Sequence, residues 1–213
     1  MIEKHISINF QGRYYSIGGT DSKKSTAEIW FVLHGQGQLA KYFIQKFSSI
    51  ATEDRRIIAP EGLSRYYLDN FNGRVGATWM TREDRLIDIS NYLTFLSAVY
   101  QQEIVNAESS NITLLGFSQG AATASRWVLS DDVKFNRLIL WGGLFHQDMD
   151  FQRGHDKMKD LEILSVVGDS DEYLNDVRRN ELFQIATKLD ISYSTRTFHG
   201  GHEIHQDTLL GLV

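Results

Sequence analysis

The segment Gly116-Phe117-Ser118-Gln119-Gly120 sets one hydroxyl between two glycines, directly after the apolar stretch NITLLGF. A serine hydroxyl is a weak nucleophile until a general base takes its proton, and the base needs an orienting acid. Glycine is unfavourable in regular structure unless the backbone needs conformations or close approaches that a side chain forbids. G-x-S-x-G between a strand and a helix is such a case. The turn is so sharp that the positions two before and two after the serine come together, and the serine oxygen is lifted above the sheet edge. Gly116 and Gly120 therefore serve the geometry of Ser118, the candidate nucleophile. The following QGAATAS opens a helix with small residues and directs its positive end at the site.

In this arrangement the partners follow in the chain order serine, carboxylate, histidine. Downstream of Ser118, one apolar run ends in VGDSDEYL and the last strand pattern ends in FHGGHEIH. The carboxylate is thus Asp169 or Asp171, and the base one of His199, His202 and His205. His202 is preferred, because it follows two glycines in a loop able to reach over the serine. His199 lies nearer the strand, where burial is expected, and His205 falls in the first turn of a helix. Asp171 sits deeper in its loop than Asp169 and has more reach toward a histidine from the neighbouring loop, whereas Asp169 suits capping of the turn.

Acyl transfer at a serine also needs donors for the oxyanion. One is the amide of the residue after the nucleophile, Gln119. The other comes from the loop after an early strand, a place occupied here by FVLHGQGQLA, where Gly35 and Gly37 let amides turn inward and Gln36 N–H is the candidate. His34 is expected to hydrogen-bond within that loop. HGQGQ lacks the lysine of a P-loop and the third glycine of a dinucleotide fingerprint; HGGHEIH is not H-E-x-x-H. DSDEYLND begins like a calcium loop but carries Leu174 where glycine is needed. No metal and no cofactor are expected.

These residues need a scaffold. Continuous apolar runs at 28–35, 56–62, 111–118, 137–143 and 161–169 suit strands buried on both faces, and 191–198 reads as a last strand. HISINF and RYYSIG, separated by Gln11-Gly12, predict an edge hairpin. Helical patterns lie at 39–51 (Leu39, Phe43, Phe47, Ile50), 83–105 (Leu86, Ile89, Leu93, Leu96, Tyr100), 119–130, 175–189 and 203–212. Alternating strands and helices predict an α/β fold, a mostly parallel central sheet with helices on both faces. In such sheets sites lie beyond the carboxyl ends of the strands, where every motif above falls.

Composition bounds the rest. The chain has 213 residues, enough for one domain over 1–213 and short for two. A net charge of −5 with no long basic run argues against nucleic acid as a partner. No apolar stretch is long enough to span a membrane. The opening MIEKHISINF has no apolar core of a secretory signal, and with no cysteine in the chain a cytoplasmic location is expected. The oligomeric state stays open between monomer and homodimer.

The ordered set LHGQGQLAKYF, IIAPEGLSRYY, GATWMTREDR, GFSQGAA, GDSDEYL and GGHEI resembles the phospholipase/carboxylesterase family of serine α/β-hydrolases, which includes the acyl-protein thioesterases, from about Ile29 to Leu210. The resemblance implies an α/β-hydrolase fold and hydrolysis of carboxylic or thiol esters without a cofactor. Carried over by position, it implies Ser118 as nucleophile, Asp171 as acid, His202 as base, and the amides of Gln36 and Gln119 as oxyanion donors. Many relatives follow the acid with proline and a later valine-proline pair, where this chain has Glu172-Tyr173-Leu174.

About twenty residues separate the runs ending near Trp141 and beginning near Leu161, too few for a large lid. Phe145, Met149 and Phe151 are expected to line an acyl groove, with Tyr66, Tyr67, Phe71 and Trp79 on the opposite wall. The main reading is a serine esterase acting on small acyl esters. A thioesterase or lysophospholipase acting on longer chains is the enzymatic alternative, and an inactive hydrolase fold used for binding is the alternative of another class.

Overall fold

The computed structural model describes residues 1–19, 28–104 and 111–213. Its elements run β1 (Tyr14–Ile17), β2 (Glu28–Leu33), α1 (Ala40–Phe43) with a 3-10 turn (Ile44–Phe47), β3 (Arg55–Pro60), β4 (Ser64–Tyr67), β5 (Val75–Thr78), α2 (Arg85–Ile104), β6 (Asn111–Phe117), α3 (Gln119–Trp127), β7 (Arg137–Trp141), α4 (Phe151–Met158), β8 (Glu162–Gly168), α5 (Asp176–Leu189), β9 (Ser194–Phe198) and α6 (Gln206–Leu210). Seven strands form one open sheet in the order β1-β3-β2-β6-β7-β8-β9. All neighbours pair in parallel except β1, which runs antiparallel to β3.

The unbroken apolar runs are explained by helices on both faces. Along β2, Ile29, Phe31 and Leu33 join a core with Tyr92 and Leu96 of α2, Trp127 of α3, Met158 of α4 and Leu182 of α5. Trp30 and Val32, pointing the other way, join Phe43, Phe47 and Leu209 from α1, the 3-10 turn and α6. The first core is centred on Phe31, Tyr100, Trp127 and Phe135, with ring centroids 5.1–6.2 Å apart. The chain leaves β2 toward one edge and β6 toward the other. Ser118, directly after β6, therefore stands at the point where the strand order reverses, the usual ligand position in an open α/β sheet.

Several sequence expectations are corrected. The edge hairpin does not form: β1 alone pairs with β3, and residues 5–10 have no strand, with Ile6, Ile8 and Phe10 exposed. Gly12 lies against the Phe95 ring, where a Cβ would approach to 2.3 Å, so the chain is seated on α2 just before β1. The helix expected at 39–51 is a single α-turn that tightens into a 3-10 turn at Ile44. The inward face of α2 is Tyr92, Leu96, Val99 and Tyr100; Leu86 is exposed, and Val105, the last residue of the expected helix, lies outside the described residues. Two elements were unforeseen. One is the β4–β5 hairpin, which carries the exposed Tyr66, Tyr67 and Phe71. The other is α4, capped by Asp150, whose side chain accepts from Arg153 N–H. Among the described residues, no helix is long and apolar enough to cross a membrane.

Candidate active site

The turn after β6 shows why glycine flanks Ser118. A Cβ on Gly116 would lie 2.2 Å from the Gly120 carbonyl oxygen, and one on Gly120 would lie 2.3 Å from the Leu33 carbonyl oxygen. Both obstacles are backbone atoms, the first of α3 and the second of β2 where it pairs with β6. Ser118 itself adopts φ 55°, ψ −118°, a region that non-glycine residues rarely occupy. Its amide donates to the Trp141 carbonyl at 2.9 Å, which secures the strained residue to β7.

Asp171 and His202 arrive from the loops after β8 and β9. His202 Nδ1 lies 2.8 Å from Asp171 Oδ2. The carboxylate accepts, so Nδ1 carries the proton and Nε2 keeps its lone pair in the neutral ring. The Asp171 side chain is almost fully buried, and its other oxygen accepts from Tyr173 N–H at 2.9 Å. The pair adjoins the serine turn through Gly142-Gly143, after β7. A Cβ on Gly142 would lie 3.0 Å from His202 Cε1, and one on Gly143 would lie 2.6 Å from the Ser118 carbonyl oxygen. The ring of Phe117, immediately before the serine, is 4.8 Å from the His202 ring.

The other candidates form a second pair farther out. His199 Nδ1 lies 2.9 Å from Asp169 Oδ2, while Asp169 Oδ1 accepts from Ser170 Oγ at 3.0 Å and Gly200 N–H at 3.2 Å. The hydrogen bonds from His199, Ser170 and Gly200 hold the Asp169 carboxyl at about 2, and Asp169 raises His199 above the usual imidazole value. His199, expected to be buried, has a 96% exposed side chain. His205 caps α6 and stacks on Phe198 at 5.0 Å.

The loop after β2 is tightly engaged. Gly35 N–H donates to Gln38 Oε1, Gly37 N–H to the Ala77 carbonyl and Gln38 N–H to the Gly35 carbonyl. Among the described residues the Gln36 amide has no such partner. The Gln119 amide is the first of α3 and has no preceding helical carbonyl to bond. Its side chain is a clamp that sequence reading missed. Gln119 Oε1 accepts from Thr78 Oγ1 and Trp79 N–H, and Nε2 donates to the Met80 carbonyl.

His34 is fully buried. Nδ1–H donates to the Gly35 carbonyl at 2.8 Å, while Nε2 accepts from Gly62 N–H at 2.9 Å. Burial lowers its pKa to about 4, so it stays neutral. Trp79 stacks on it at 4.9 Å and donates Nε1–H to the His34 carbonyl. Trp79 is therefore a support beneath the loop, at 1% exposure, and not a groove wall; an aromatic in a long loop reads the same way from sequence in either place.

A cleft of about 470 Å³ opens at Ser118. Ala122, Leu144, Phe145, Tyr173 and Leu174 supply apolar lining; Gln147, Arg178 and Glu181 supply polar lining. Phe145 borders the cleft but is 2% exposed and belongs to the core. Met149 does not border the cleft: it belongs to the core and borders a separate depression with Leu93 and Leu129. His146, also on the cleft wall, is held at about 4 by burial and by the charges of Arg126 and Arg85. Asp148 accepts from Arg85 and from Arg126 Nη2, the latter at 3.2 Å, tying this loop to α2 and α3. No sequence spacing announces that network.

The model of the Phospholipase/Carboxylesterase family matches residues 20–212. No curated protein matches the sequence significantly. Among solved structures, the carboxylesterase from Mesorhizobium loti superposes with a TM-score of 0.71 at 18% identity, covering 94% of this chain and 92% of that one. Acyl-protein thioesterase 2 of Zea mays gives 0.68 at 15% identity, with 95% and 96% covered. The esterase PE8 gives 0.67 at 20% identity, with 96% of both chains covered. At these identities the superpositions establish the α/β-hydrolase fold alone.

Proposed function

Because the chain belongs to the phospholipase/carboxylesterase family, we propose that it is a serine carboxylesterase that hydrolyses small acyl esters through an acyl-enzyme. The observation that carries this reading is the Asp171–His202 hydrogen bond built beside a serine held at a strained strand-to-helix turn. Ser118 Oγ attacks the ester carbonyl as His202 Nε2 takes its proton. Asp171 keeps Nδ1 protonated and steadies the imidazolium that forms. The amides of Gln36 and Gln119 receive the oxyanion. His202 then returns the proton to the leaving alcohol, and water repeats the sequence on the acyl-enzyme. Every group in this cycle belongs to the chain, so no cofactor has a step to perform.

The cleft favours the small-ester reading over the long-chain alternative. An alkyl chain filling it would press on Gln147 and on the Arg178–Glu181 ion pair, joined at 2.8 Å, and would desolvate polar groups without replacing their hydrogen bonds. Across a series of acyl lengths, esters and thioesters alike, turnover should be highest for the short chains. Rate plotted against concentration should pass smoothly through the micellar transition, and a sharp jump there overturns this assignment of the cleft.

A fluorophosphonate probe separates an enzyme from an inactive binding fold. One equivalent should attach at Ser118, and failure to label overturns the reading. The base is tested with three variants. His202→Ala should lose nearly all activity, on the order of a million-fold as for loss of a triad base. His199→Ala and His205→Ala should stay near wild type, since the first removes an exposed ion pair of little energetic weight and the second a helix cap. Comparable loss in a folded His205→Ala protein moves the assignment.

A further inference from the structure

We infer that Tyr173 is a positioning residue that holds His202 in register with Asp171. This rests on the reading of His202 as the base and adds a residue that neither the serine turn nor the acid–base pair requires.

Tyr173 touches both members of the pair. Its amide donates to Asp171 Oδ1 at 2.9 Å, while Asp171 Oδ2 meets His202 Nδ1 at 2.8 Å. One carboxylate oxygen is thus occupied by the Tyr173 backbone and the other by the imidazole. The Tyr173 ring then lies 4.7 Å from the His202 ring, inclined by 58°. The buried Phe117 meets the same imidazole from the core side at 4.8 Å, and Gly142 leaves room for its Cε1 edge. The core side and one edge of His202 are therefore fixed by the fold, and Tyr173 supplies the contact from the solvent side.

The exposure of Tyr173 is the informative feature. At 64% exposed the ring gains little from burial, so core packing does not account for its place. What it does touch is the acid–base pair, itself little exposed: the Asp171 side chain is 1% exposed and that of His202 17%. Without the ring, water reaches the 2.8 Å hydrogen bond and the imidazole is free to turn away from the serine. When His202 takes the proton, the imidazolium keeps an aromatic neighbour on its solvent side, an arrangement that favours the cation.

Tyr173 also lines the cleft, so the test must separate orientation of the base from contact with substrate. Steady-state hydrolysis of p-nitrophenyl acetate is measured for wild type, Tyr173→Phe, Tyr173→Leu and Tyr173→Ala, with thermal unfolding alongside. All four keep the backbone amide. Tyr173→Ala should lower kcat about ten- to a hundredfold, as expected for a misplaced catalytic group, with KM changed by no more than about threefold. Tyr173→Phe should restore wild-type kcat, because the ring and not the hydroxyl meets His202. Tyr173→Leu keeps bulk without the aromatic face and should fall between, which preserves the test should the alanine variant unfold. A rise in KM at constant kcat would make Tyr173 a cleft wall only and overturn the inference, as would a phenylalanine variant as slow as alanine. Wild-type kinetics in Tyr173→Ala overturns this inference alone. A wild-type protein that neither hydrolyses ester nor takes a fluorophosphonate label overturns the parent reading and this one together.

Discussion

Ser118→Ala is expected to abolish ester hydrolysis, by on the order of a million-fold in kcat, while leaving the fold in place. The change removes one oxygen and nothing that holds the turn. The Ser118 amide still donates to the Trp141 carbonyl, the crowding of Gly116 and Gly120 is unchanged, and alanine bears the same backbone strain at φ 55° as serine does. Residual turnover should be what substrate binding and the two proposed oxyanion donors, the Gln36 and Gln119 amides, supply without a nucleophile. The measurement is hydrolysis of a p-nitrophenyl ester beside thermal unfolding. Wild-type-like turnover in a well-folded variant would sink the esterase reading as a whole.

Asp171→Asn should cost about ten-thousand-fold, the loss seen when the orienting acid of a serine-protease triad becomes an amide. The Asp171 carboxylate is shared between Tyr173 N–H and His202. In the asparagine variant the amide oxygen satisfies Tyr173 N–H and the NH2 group faces His202 Nδ1. That ring then carries its proton on Nε2, where it cannot accept one from serine. Asp169→Asn should keep most activity. Its carbonyl still accepts from Gly200 N–H, and what is lost is the charge and the acceptor opposite the exposed His199.

The pH dependence of that outer pair follows from its two shifts. The Asp169 contribution is present above the unfolded carboxyl value and fades as pH falls toward about 2. The His199 contribution is present below the unfolded imidazole value and fades as pH rises through its raised folded value. Activity and thermal unfolding of both asparagine variants decide the matter. A dead Asp169→Asn beside an active Asp171→Asn would transfer the role to the outer pair.

The two-aspartate, three-histidine ambiguity in the sequence reflects the molecule, which builds two Asp–His pairs between the same two loops. Burial and contact with the serine turn distinguish them, and both depend on Phe117 of β6 and Gly142 just after β7, far from these loops in sequence. The strands β2, β3, β6, β7 and β8 were legible because strands covered on both faces are dominated by apolar residues, and α2, α3 and α5 followed as the segments between or after them. The parts that were missed lack that signal. All four residues of β4 are exposed, although Asn72-Gly73 beyond it is a recognisable turn pair. In α4 only Gly154 and Met158 are buried, and its one plain mark is the Asp150 cap. HISINF alternates as a strand should, yet alternation does not supply a partner, and the edge beside β3 is taken by β1. Trp79 and Met149 failed as groove residues for a related reason: large apolar side chains near a site are as often its floor as its wall.

The crowding at Gly120 also bears on how this protein can be made more heat-resistant. Glycine inside a helix is a standard target for replacement by alanine, with about 1 kcal/mol to be gained. At Gly120 the added carbon would meet the Leu33 carbonyl at 2.3 Å, pushing α3 off the sheet and Ser118 with it. The position is closed to thermostabilisation by the same contact that shapes the turn. Gly154, in the middle of α4, is different. There the added carbon would meet chiefly the tip of the Leu189 side chain, at 2.4 Å, a side-chain and not a backbone obstacle, although Leu189 is itself fully buried. An engineer seeking a tougher variant should therefore begin at α4, trimming Leu189 in the same step, and leave the helix behind the serine untouched.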